Sequence, residues 1–560
     1  MGLLTPGTRA RWKSLLKANA LRLGGDERVA IIYLETDKAP QVITRLTFRS
    51  EVIKYGASLQ TLGVRAGDLV VMAFTQSLES IYAFWGALSI GAVPSMFPTI
   101  TPKLDPQTYL NNLAELVRLS GVRAVLTTDD FAPTLKARVT CAVYSTQDLL
   151  PHFDVTLELH RPREDSIAFL QHSSGTTGLQ KGVALSHRAV LNQLASYSDA
   201  LQLDESDVVV SWLPLYHDMG LIAGFMLPLV QGIPLVLMSP FDWVSHPAML
   251  LRAIDTYEGT LCWLPNFAYN HMARRVRPSD SAGLSLATMK AFINCSEPVH
   301  AESHALFLER FAENDLKPSM LVVSYAMAEN TFAVTQTPMR QTPTHDVIDR
   351  VALQERLYAE PIAPDAPTAS TQVSCGKPIA GTQVKVVDSA GNTLEARHVG
   401  EVLVRSDCML TGYYKRDDLQ PFDADGWYHS GDKGYMVDDE VYIIGRSKDL
   451  IINAGKNVYP QDLEAIVNTV DGVHVGRAVV FGVWDEREGT ELVAVVAEVD
   501  TEDESERKRI AQAIRQTVVQ HSEVSVSFVA LVGAGWLIKT SSGKIARGAN
   551  RDKWLKEKQR

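Results

Sequence analysis

Short apolar runs alternate with longer amphipathic segments over the first 325 residues of the chain. Apolar runs at 29–34, 69–73 and 124–127 flank helical patterns at 50–62 and 80–90. This rhythm predicts consecutive βα units, which build parallel sheets covered by helices. Because a second round of the same pattern follows between residues 207 and 325, we expect an α/β fold with two doubly wound sheets packed together.

The pattern changes to short strands and turns after residue 375. Runs at 384–387, 400–405 and 427–444 are separated by turn residues and predict a small β subdomain. Beyond residue 445 further strand and helix patterns predict a compact α/β unit. We therefore expect a large N-terminal domain over residues 1–445, with its β subdomain at about 375–445, and a small mobile C-terminal domain over 446–560 that starts at a hinge.

A Pro- and Thr-rich stretch lies between these parts, at residues 332–373, and it is longer than an ordinary loop. One interpretation is a plain linker. The other is a functional insertion, with a short helix at 348–356.

Composition limits the classes of partner. The chain has 560 residues, of which 46% are apolar and 21% are charged, so it is globular and too long for a single core. A net charge of −11 gives no electrostatic reason to bind nucleic acid or an anionic membrane surface. We expect small molecules and proteins as partners, with no nucleic acid and no integral membrane contact.

The cysteines, the N-terminal residues and the longest apolar run bear on the cellular location of the protein. The five cysteines form no CxxC pair, which favours reduced thiols in the cytoplasm. The first residues lack an apolar signal core, and Pro6 stands where a myristoylation motif needs Ser or Thr, so we expect neither export nor lipidation. The longest apolar run, 221–238, contains two prolines and predicts a buried helix followed by a core strand.

Residues 173–182 concentrate hydroxyls, glycines and one lysine between two strand-like runs. Glycine allows backbone N–H groups to approach an anion closely, hydroxyls add donors, and Lys181 adds a cation, as a phosphate-binding loop requires. No Gly-Lys-Ser/Thr triplet leads into a helix here, so the loop is not of the Walker type. The alternative is an ordinary surface turn. The candidate phosphate-binding residues are Ser173, Ser174, Gly175, Thr176, Thr177, Gly178 and Lys181.

This loop resembles the signature of the adenylate-forming superfamily, which includes acyl-CoA synthetases, luciferases, peptide-synthetase adenylation domains and fatty acyl-AMP ligases. Gln180 stands where members usually carry proline. The resemblance extends over essentially the whole chain, because further motifs follow in the expected order. It implies ATP and Mg²⁺ as cofactors.

Residues 213–220 (LPLYHDMG) resemble a segment typical of fatty acyl-AMP ligases. In that family the histidine, here His217, flanks the carboxylate and the adenylate. The alternative is a buried histidine with a structural role.

Two further segments resemble the adenine side of the family's site. Residues 294–298 imply adenine contacts by Ser296, Glu297 and Pro298. In residues 325–329 (YAMAE), Tyr325 would stack on adenine beside Ala326 and Met327, and Glu329 would hold Mg²⁺, which prefers hard oxygen ligands. Ala326 replaces the usual glycine. A solvated glutamate after an apolar strand is the alternative for Glu329.

Three motifs near the C-terminus complete the resemblance. It implies that Asp432 binds both ribose hydroxyls, that Arg446 contacts ribose or phosphate, and that Lys448 is the hinge pivot. Residues 539–545 resemble the segment whose lysine, here Lys544, bridges carboxylate and α-phosphate. The alternative is a basic tail.

The closest branch is the fatty acyl-AMP ligases, because residues 213–220, 265–269 and 457–464 resemble it and 332–373 lies where that branch carries an insertion that hinders CoA attack. The implied reaction activates a fatty acid with ATP to acyl-AMP, releases pyrophosphate and transfers the acyl group to the phosphopantetheine thiol of an acyl carrier protein. The alternatives are an acyl-CoA synthetase and, from another class, a catalytically silent nucleotide- or lipid-binding regulator. The candidate acyl pocket, which is equally compatible with ordinary core, comprises Ile222, Phe225, Met226 and Phe267.

Overall fold

The computed structural model describes residues 3–15, 26–98, 106–150, 157, 159–172, 181–453, 456–488, 490–522, 524–540 and 544–558. Strands and helices alternate over the first part of the chain. The elements up to residue 186 are β1 (Val29–Leu34), β2 (Gln41–Thr44), α1 (Arg45–Thr61), β3 (Leu69–Ala73), α2 (Leu78–Ser89), β4 (Val93–Met96), α3 (Pro106–Ser120), β5 (Ala124–Thr127), α4 (Ala132–Lys136), β6 (Ala142–Ser145), α5 (Thr146–Leu149), β7 (Ile167–His172) and β8 (Gly182–Ser186).

A second round of alternation follows. Its elements are α6 (His187–Ala200), β9 (Val209–Ser211), a π-helix (Met219–Met226), α7 (Leu227–Gln231), β10 (Leu235–Met238), α8 (Pro240–Ser245), α9 (Ala248–Tyr257), β11 (Leu261–Leu264), α10 (Asn266–Arg275), α11 (Pro278–Ser281), β12 (Ala291–Cys295), α12 (Ala301–Arg310) and β13 (Leu321–Ser324).

Strands dominate from residue 335 to 446, and mixed structure follows. These elements are β14 (Thr335–Gln336), β15 (His345–Asp349), α13 (Arg350–Arg356), β16 (Ala369–Val373), β17 (Lys377–Pro378), β18 (Thr382–Val387), β19 (Gly400–Ser406), β20 (Gly412–Tyr413), β21 (Tyr428–Val437), β22 (Glu440–Arg446), β23 (Ile451–Asn453), β24 (Lys456–Val458), α14 (Pro460–Val467), β25 (Ala478–Asp485), β26 (Thr490–Glu498), α15 (Glu504–Ser522), β27 (Val526–Val532) and α16 (Arg547–Lys558). Single 3₁₀ turns lie at Arg9–Arg11, Ala312–Asn314, Pro318–Met320, Ala328–Asn330 and Ser447–Asp449.

Two seven-stranded sheets form the body of the molecule, which confirms the predicted α/β architecture. One sheet has the order β13-β12-β11-β9-β10-β1-β2 and the other β20-β8-β7-β4-β3-β5-β6. Central strands such as β3 and β11 are buried along their whole length, as parallel strands covered on both faces require. Within the second sheet β7 and β8 pair antiparallel, with His172 opposite Gly182, so the predicted phosphate loop joins strand to strand.

Two smaller sheets follow in the chain. The order β18-β19-β21-β22 confirms the small β subdomain. Its last hairpin turns at Asp438 (φ 51°) and Asp439 (φ 65°), two left-handed residues whose turn geometry matches the twist of the strands. The sheet β25-β26-β27 packs against α14 and α15 around buried residues such as Val495 and Ile514. The domain boundary at 445/446 stays a prediction.

The stretch 332–373 is ordered, so the linker interpretation is wrong. β15 and β16 pair antiparallel from His345↔Val373 to Asp349↔Ala369, and α13 lies in the chain segment that connects the two strands. The helix begins at Arg350 and not at residue 348, because Ile348 belongs to the strand and the Asp349 carboxylate caps the helix by accepting from the Val351 N–H at 2.8 Å. We call residues 345–373 the hairpin segment.

The apolar run 221–238 forms the predicted buried helix and strand, although the helix starts as a π-helix at Met219–Met226. Among the helices of the described residues, none is both long and apolar enough to cross a membrane.

An ion cluster ties the last helix to the rest of the C-terminal unit. Arg547 lies 2.7 Å from Asp449 and 2.8 Å from Glu464, and its Nε donates to the Val480 carbonyl at 2.8 Å. Burial raises the pKa of Glu464, and the Arg547 charge opposes that rise. The pair therefore compensates charges that burial alone would penalise.

We predict that Arg547→Ala destabilises this unit, because Glu464 is left buried without its cation. The free energy of local opening should fall by about 3–5 kcal/mol. Hydrogen exchange of the amides in α14 and β25 measures it. Arg551→Ala, a change one helical turn away at an exposed side chain, is the matched control and should leave protection unchanged.

Candidate active site

His217 and Asp218 lie at the start of the π-helix, where the chain leaves the first sheet after β9. The His217 Nδ1 is 2.7 Å from the Asp218 Oδ1, and the two side chains are only 14% and 11% exposed. The backbone of Gly220 lies close to that of Pro214, since a Cβ at position 220 would be 2.2 Å from the Pro214 carbonyl oxygen. A π-helix is a rare element that occurs often at functional sites.

Lys544 acts electrostatically on this pair, although it belongs to the other end of the chain. Burial works to raise the pKa of Asp218, but the charges of His217 and Lys544 oppose it and the pKa lies below its ordinary value. The Lys544 charge also opposes the rise that burial causes in the pKa of Cys295, at the end of β12. The Lys544 charge therefore acts on both Asp218 and Cys295, while a joint role of His217 and Lys544 in one site stays a prediction.

Tyr325, Asp432 and Arg446 form a second group. The Tyr325 hydroxyl donates to the Asp432 carboxylate at 2.5 Å, and the other carboxylate oxygen lies 3.1 Å from the Arg446 Nε. The Asp432 charge raises the pKa of Arg446. Lys448 follows in the 3₁₀ turn, where burial first and the Arg446 charge second lower its pKa.

Glu329 lies between two tyrosines in a third group. The Tyr413 hydroxyl donates to Glu329 at 3.1 Å and lies 3.3 Å from the Tyr428 hydroxyl. Burial raises the pKa of Glu329, and the two tyrosine hydroxyls oppose the rise. The Lys181 Nζ lies 4.9 Å from the centroid of the Tyr413 ring, so the lysine of the predicted phosphate loop reaches the same group.

The remaining described nucleotide candidates lie just after the ends of β12 and β13. Ser296 adopts a left-handed conformation (φ 72°), and the Glu297 carboxylate accepts from the Phe267 N–H at 2.9 Å, at the start of α10. Pro298 follows in the same turn. Ala326 forms an isolated antiparallel β-bridge with Ala333, and the Met327 N–H donates to the Phe332 carbonyl at 2.9 Å. Ser173, Ser174, Gly175, Thr176, Thr177 and Gly178 lie outside the described residues.

The four candidate acyl-pocket residues do not share one environment. Ile222, Phe225 and Met226 are fully buried, and Phe225 packs edge-on against Phe84 and Trp85. Phe267 is 37% exposed beside Trp212 and Trp243. A separate groove adjoins the segment before His217, and it is lined by Met72, Phe74, Met96, Phe97, Leu215, Tyr216 and Phe241.

Comparison with known proteins decides the family. The model of the AMP-binding enzyme family matches residues 19–414. The chain belongs to this family. It is 31% identical to a probable long-chain-fatty-acid–AMP ligase, FadD30, of Mycobacterium tuberculosis, with 96% of each chain covered. It is 29% identical to JamA of Moorena producens, named a medium-chain-fatty-acid–[acyl-carrier-protein] ligase, over 98% of this chain and 94% of JamA.

A solved structure agrees with these relatives. A chain from a study of fatty acyl-adenylate ligases from E. coli and L. pneumophila superposes with a TM-score of 0.90 at 27% identity, covering 98% of both chains. This AMP-binding enzyme is therefore a ligase with the fold of adenylate-forming enzymes.

Sequence reasoning missed the contacts of Tyr413 with Glu329 and with Tyr428. Tyr428 stands four positions before Asp432, in the same motif, which is a usable signal. Tyr413 stands 84 positions from Glu329, and a single aromatic residue in an edge strand carries no pattern of its own.

We predict that Asp432→Ala weakens AMP binding to this AMP-binding enzyme, because a ribose would lose a charged acceptor. Calorimetric titration should show a loss of roughly 1.5–3 kcal/mol. Asp417→Ala, at an exposed position, is the control and should bind AMP as the wild type does. Unchanged affinity in the Asp432 variant would exclude it from the nucleotide site.

Proposed function

We propose that this enzyme activates a fatty acid with ATP and passes the acyl group to the phosphopantetheine thiol of an acyl carrier protein. The observation that supports it best is the buried His217–Asp218 pair, 2.7 Å apart, on which the charge of Lys544 also acts. Relatives named as fatty-acid–AMP ligases, and one named for an acyl carrier protein, support the choice of substrates.

In the first step a carboxylate oxygen attacks the α-phosphorus of ATP, and the bond to pyrophosphate breaks. Two anions must approach each other, so the protein contributes mainly positioning and charge compensation. Lys544 would bridge the carboxylate and the α-phosphate next to His217. Lys181 would bind the outgoing phosphates, Asp432 the ribose, and Tyr325 with Ser296, Glu297, Pro298, Ala326 and Met327 the adenine side.

Glu329 fits the requirements of a Mg²⁺ ligand. It is a hard oxygen donor in a largely buried position, where a bound cation would offset the cost of burying its charge. In the described part of the chain no group of three or more His, Cys, Asp or Glu side chains could hold an ion. This suits an ion shared between one carboxylate, phosphates and water, which would screen the charge of the departing pyrophosphate.

The acyl chain would lie in the groove beside the segment before His217. The lining is mostly apolar, as a hydrocarbon chain requires, but the cavity holds only about 20 Å³, so its side chains would have to move to admit an acyl chain. The groove adjoins Tyr216, one residue from His217, so the bound carboxylate would lie near the His217–Asp218 pair while the chain extends away.

We predict that Lys544→Ala leaves ATP affinity nearly intact but slows fatty-acid-dependent ATP–pyrophosphate exchange by at least ~100-fold, since its bond to the attacking carboxylate strengthens in the transition state. Lys556→Ala, on an exposed face of α16, is the control. Equal loss of binding and rate would make Lys544 a phosphate anchor. Wild-type protein that binds ATP but exchanges no pyrophosphate with any fatty acid would favour the silent regulator.

The second step would require the C-terminal unit to rotate about Lys448, and the hairpin segment bonds this unit in three places. Arg350 donates to the Ser522 carbonyl at 2.7 Å, Glu355 lies 3.0 Å from Lys456, and Asn457 donates to the Gln354 carbonyl at 2.9 Å. All three contacts would break on rotation. A docked carrier protein could compensate for that loss through its own interface, which free CoA lacks.

We predict that the wild type accumulates acyl-AMP and forms little acyl-CoA, and that Arg350→Ala combined with Glu355→Lys raises acyl-CoA formation several-fold. The double change removes one bond and turns an attraction to Lys456 into repulsion. Arg356→Ala is the control, because Arg356 pairs with Glu360 in its own segment. Rapid acyl-CoA synthesis by the wild type would favour the acyl-CoA synthetase alternative.

A further inference from the structure

Tyr413 occupies a position between two parts of the site that are distant in sequence. It ends β20, the edge strand that pairs with β8, and it lies opposite Val183, just after the predicted phosphate loop. The next residue fixes this register, because the Tyr414 N–H donates to the Gly182 carbonyl at 2.8 Å. The backbone therefore holds the Tyr413 ring beside Lys181.

The ring of Tyr413 contacts a cation with its face and a carboxylate with its hydroxyl. The Lys181 Nζ lies 4.9 Å from the ring centroid, within the range of a cation–π interaction. The hydroxyl is 3.1 Å from Glu329 Oε1 and 3.3 Å from the hydroxyl of Tyr428. Phenol rings are rigid, so one side chain sets the spacing between Lys181 and Glu329.

This arrangement keeps two opposite charges apart. Lys181 contacts the ring of Tyr413 and Glu329 its hydroxyl, and within the described part of the chain the two charged groups form no salt bridge with each other. A direct pair would neutralise both groups and leave less charge for phosphate and for a metal ion. With the ring between them, the ammonium is held by the weak attraction of a π face and the carboxylate by neutral donors.

We propose that Tyr413 is a positioning residue that presents Lys181 to phosphate and Glu329 to Mg²⁺ at a fixed separation, an inference that rests on the proposed function. Its ring supports the lysine, and its hydroxyl orients the carboxylate. The two halves of this role are separable, because phenylalanine keeps the ring and loses the hydroxyl, whereas leucine loses both.

The test measures ATP binding by calorimetry, without a fatty acid, in the presence and absence of Mg²⁺. Tyr413→Phe should bind metal-free ATP like the wild type, while the factor by which Mg²⁺ enhances ATP affinity falls about tenfold or more. Tyr413→Leu should lose that enhancement and should also bind metal-free ATP more weakly. Tyr414→Phe makes the same chemical change at the next residue, away from Glu329, and should change neither quantity.

Two results would overturn the inference. One is an unchanged Mg²⁺ enhancement in Tyr413→Phe. The other is an identical loss of both quantities in Tyr413→Phe and Tyr413→Leu, which would mean that the residue acts only through packing. Wild-type protein that binds ATP with Mg²⁺ enhancement but catalyses no fatty-acid-dependent exchange would refute the proposed function and leave these binding measurements valid.

Discussion

The rest of the site depends on the buried His217–Asp218 pair, and the charge of Lys544, from the other end of the chain, acts on that pair. Asp218 is almost fully buried, and its low pKa requires positive charge nearby. Lys544 can supply that charge only if the C-terminal unit lies against the first sheet. The C-terminal unit therefore contributes charge to a pair that the first sheet holds.

Two sets of interactions fix the C-terminal unit, which carries Lys544. Within the C-terminal unit, Arg547 connects the start of α16 to Glu464 and to Asp449 of the 3₁₀ turn after β22. Between the units, α13 of the hairpin segment bonds α15 and the β23–β24 hairpin. The first set makes the unit rigid, and the second fixes its orientation. A rigid unit is what allows a lysine distant from the nucleotide loops to be placed accurately.

Local sequence patterns predicted most of the architecture, because each pattern reports on neighbours in the chain. The strands at 29–34, 69–73 and 124–127 have the predicted bounds, since apolar runs and turn residues mark them directly. The sequence left two interpretations of the hairpin segment open, because its strands pair across a connection of 19 residues of mixed composition. The π-helix resembles an ordinary apolar helix in sequence, and the close approach of Gly220 to Pro214 appears only in the fold.

Local patterns did not predict the contacts within the candidate site, because the contacting residues are far apart in the sequence. Tyr325 and Asp432 are 107 positions apart, and Tyr413 and Glu329 are 84 apart. Family resemblance supplied Tyr325, Asp432 and Glu329 one at a time, by motif, and gave no partner for any of them. In the structure each carboxylate accepts a hydrogen bond from a phenol, and Asp432 also lies 3.1 Å from the Arg446 Nε. A neutral donor orients a carboxylate without cancelling its charge, which leaves Glu329 able to bind a cation, whereas the Arg446 guanidinium compensates part of the charge of Asp432.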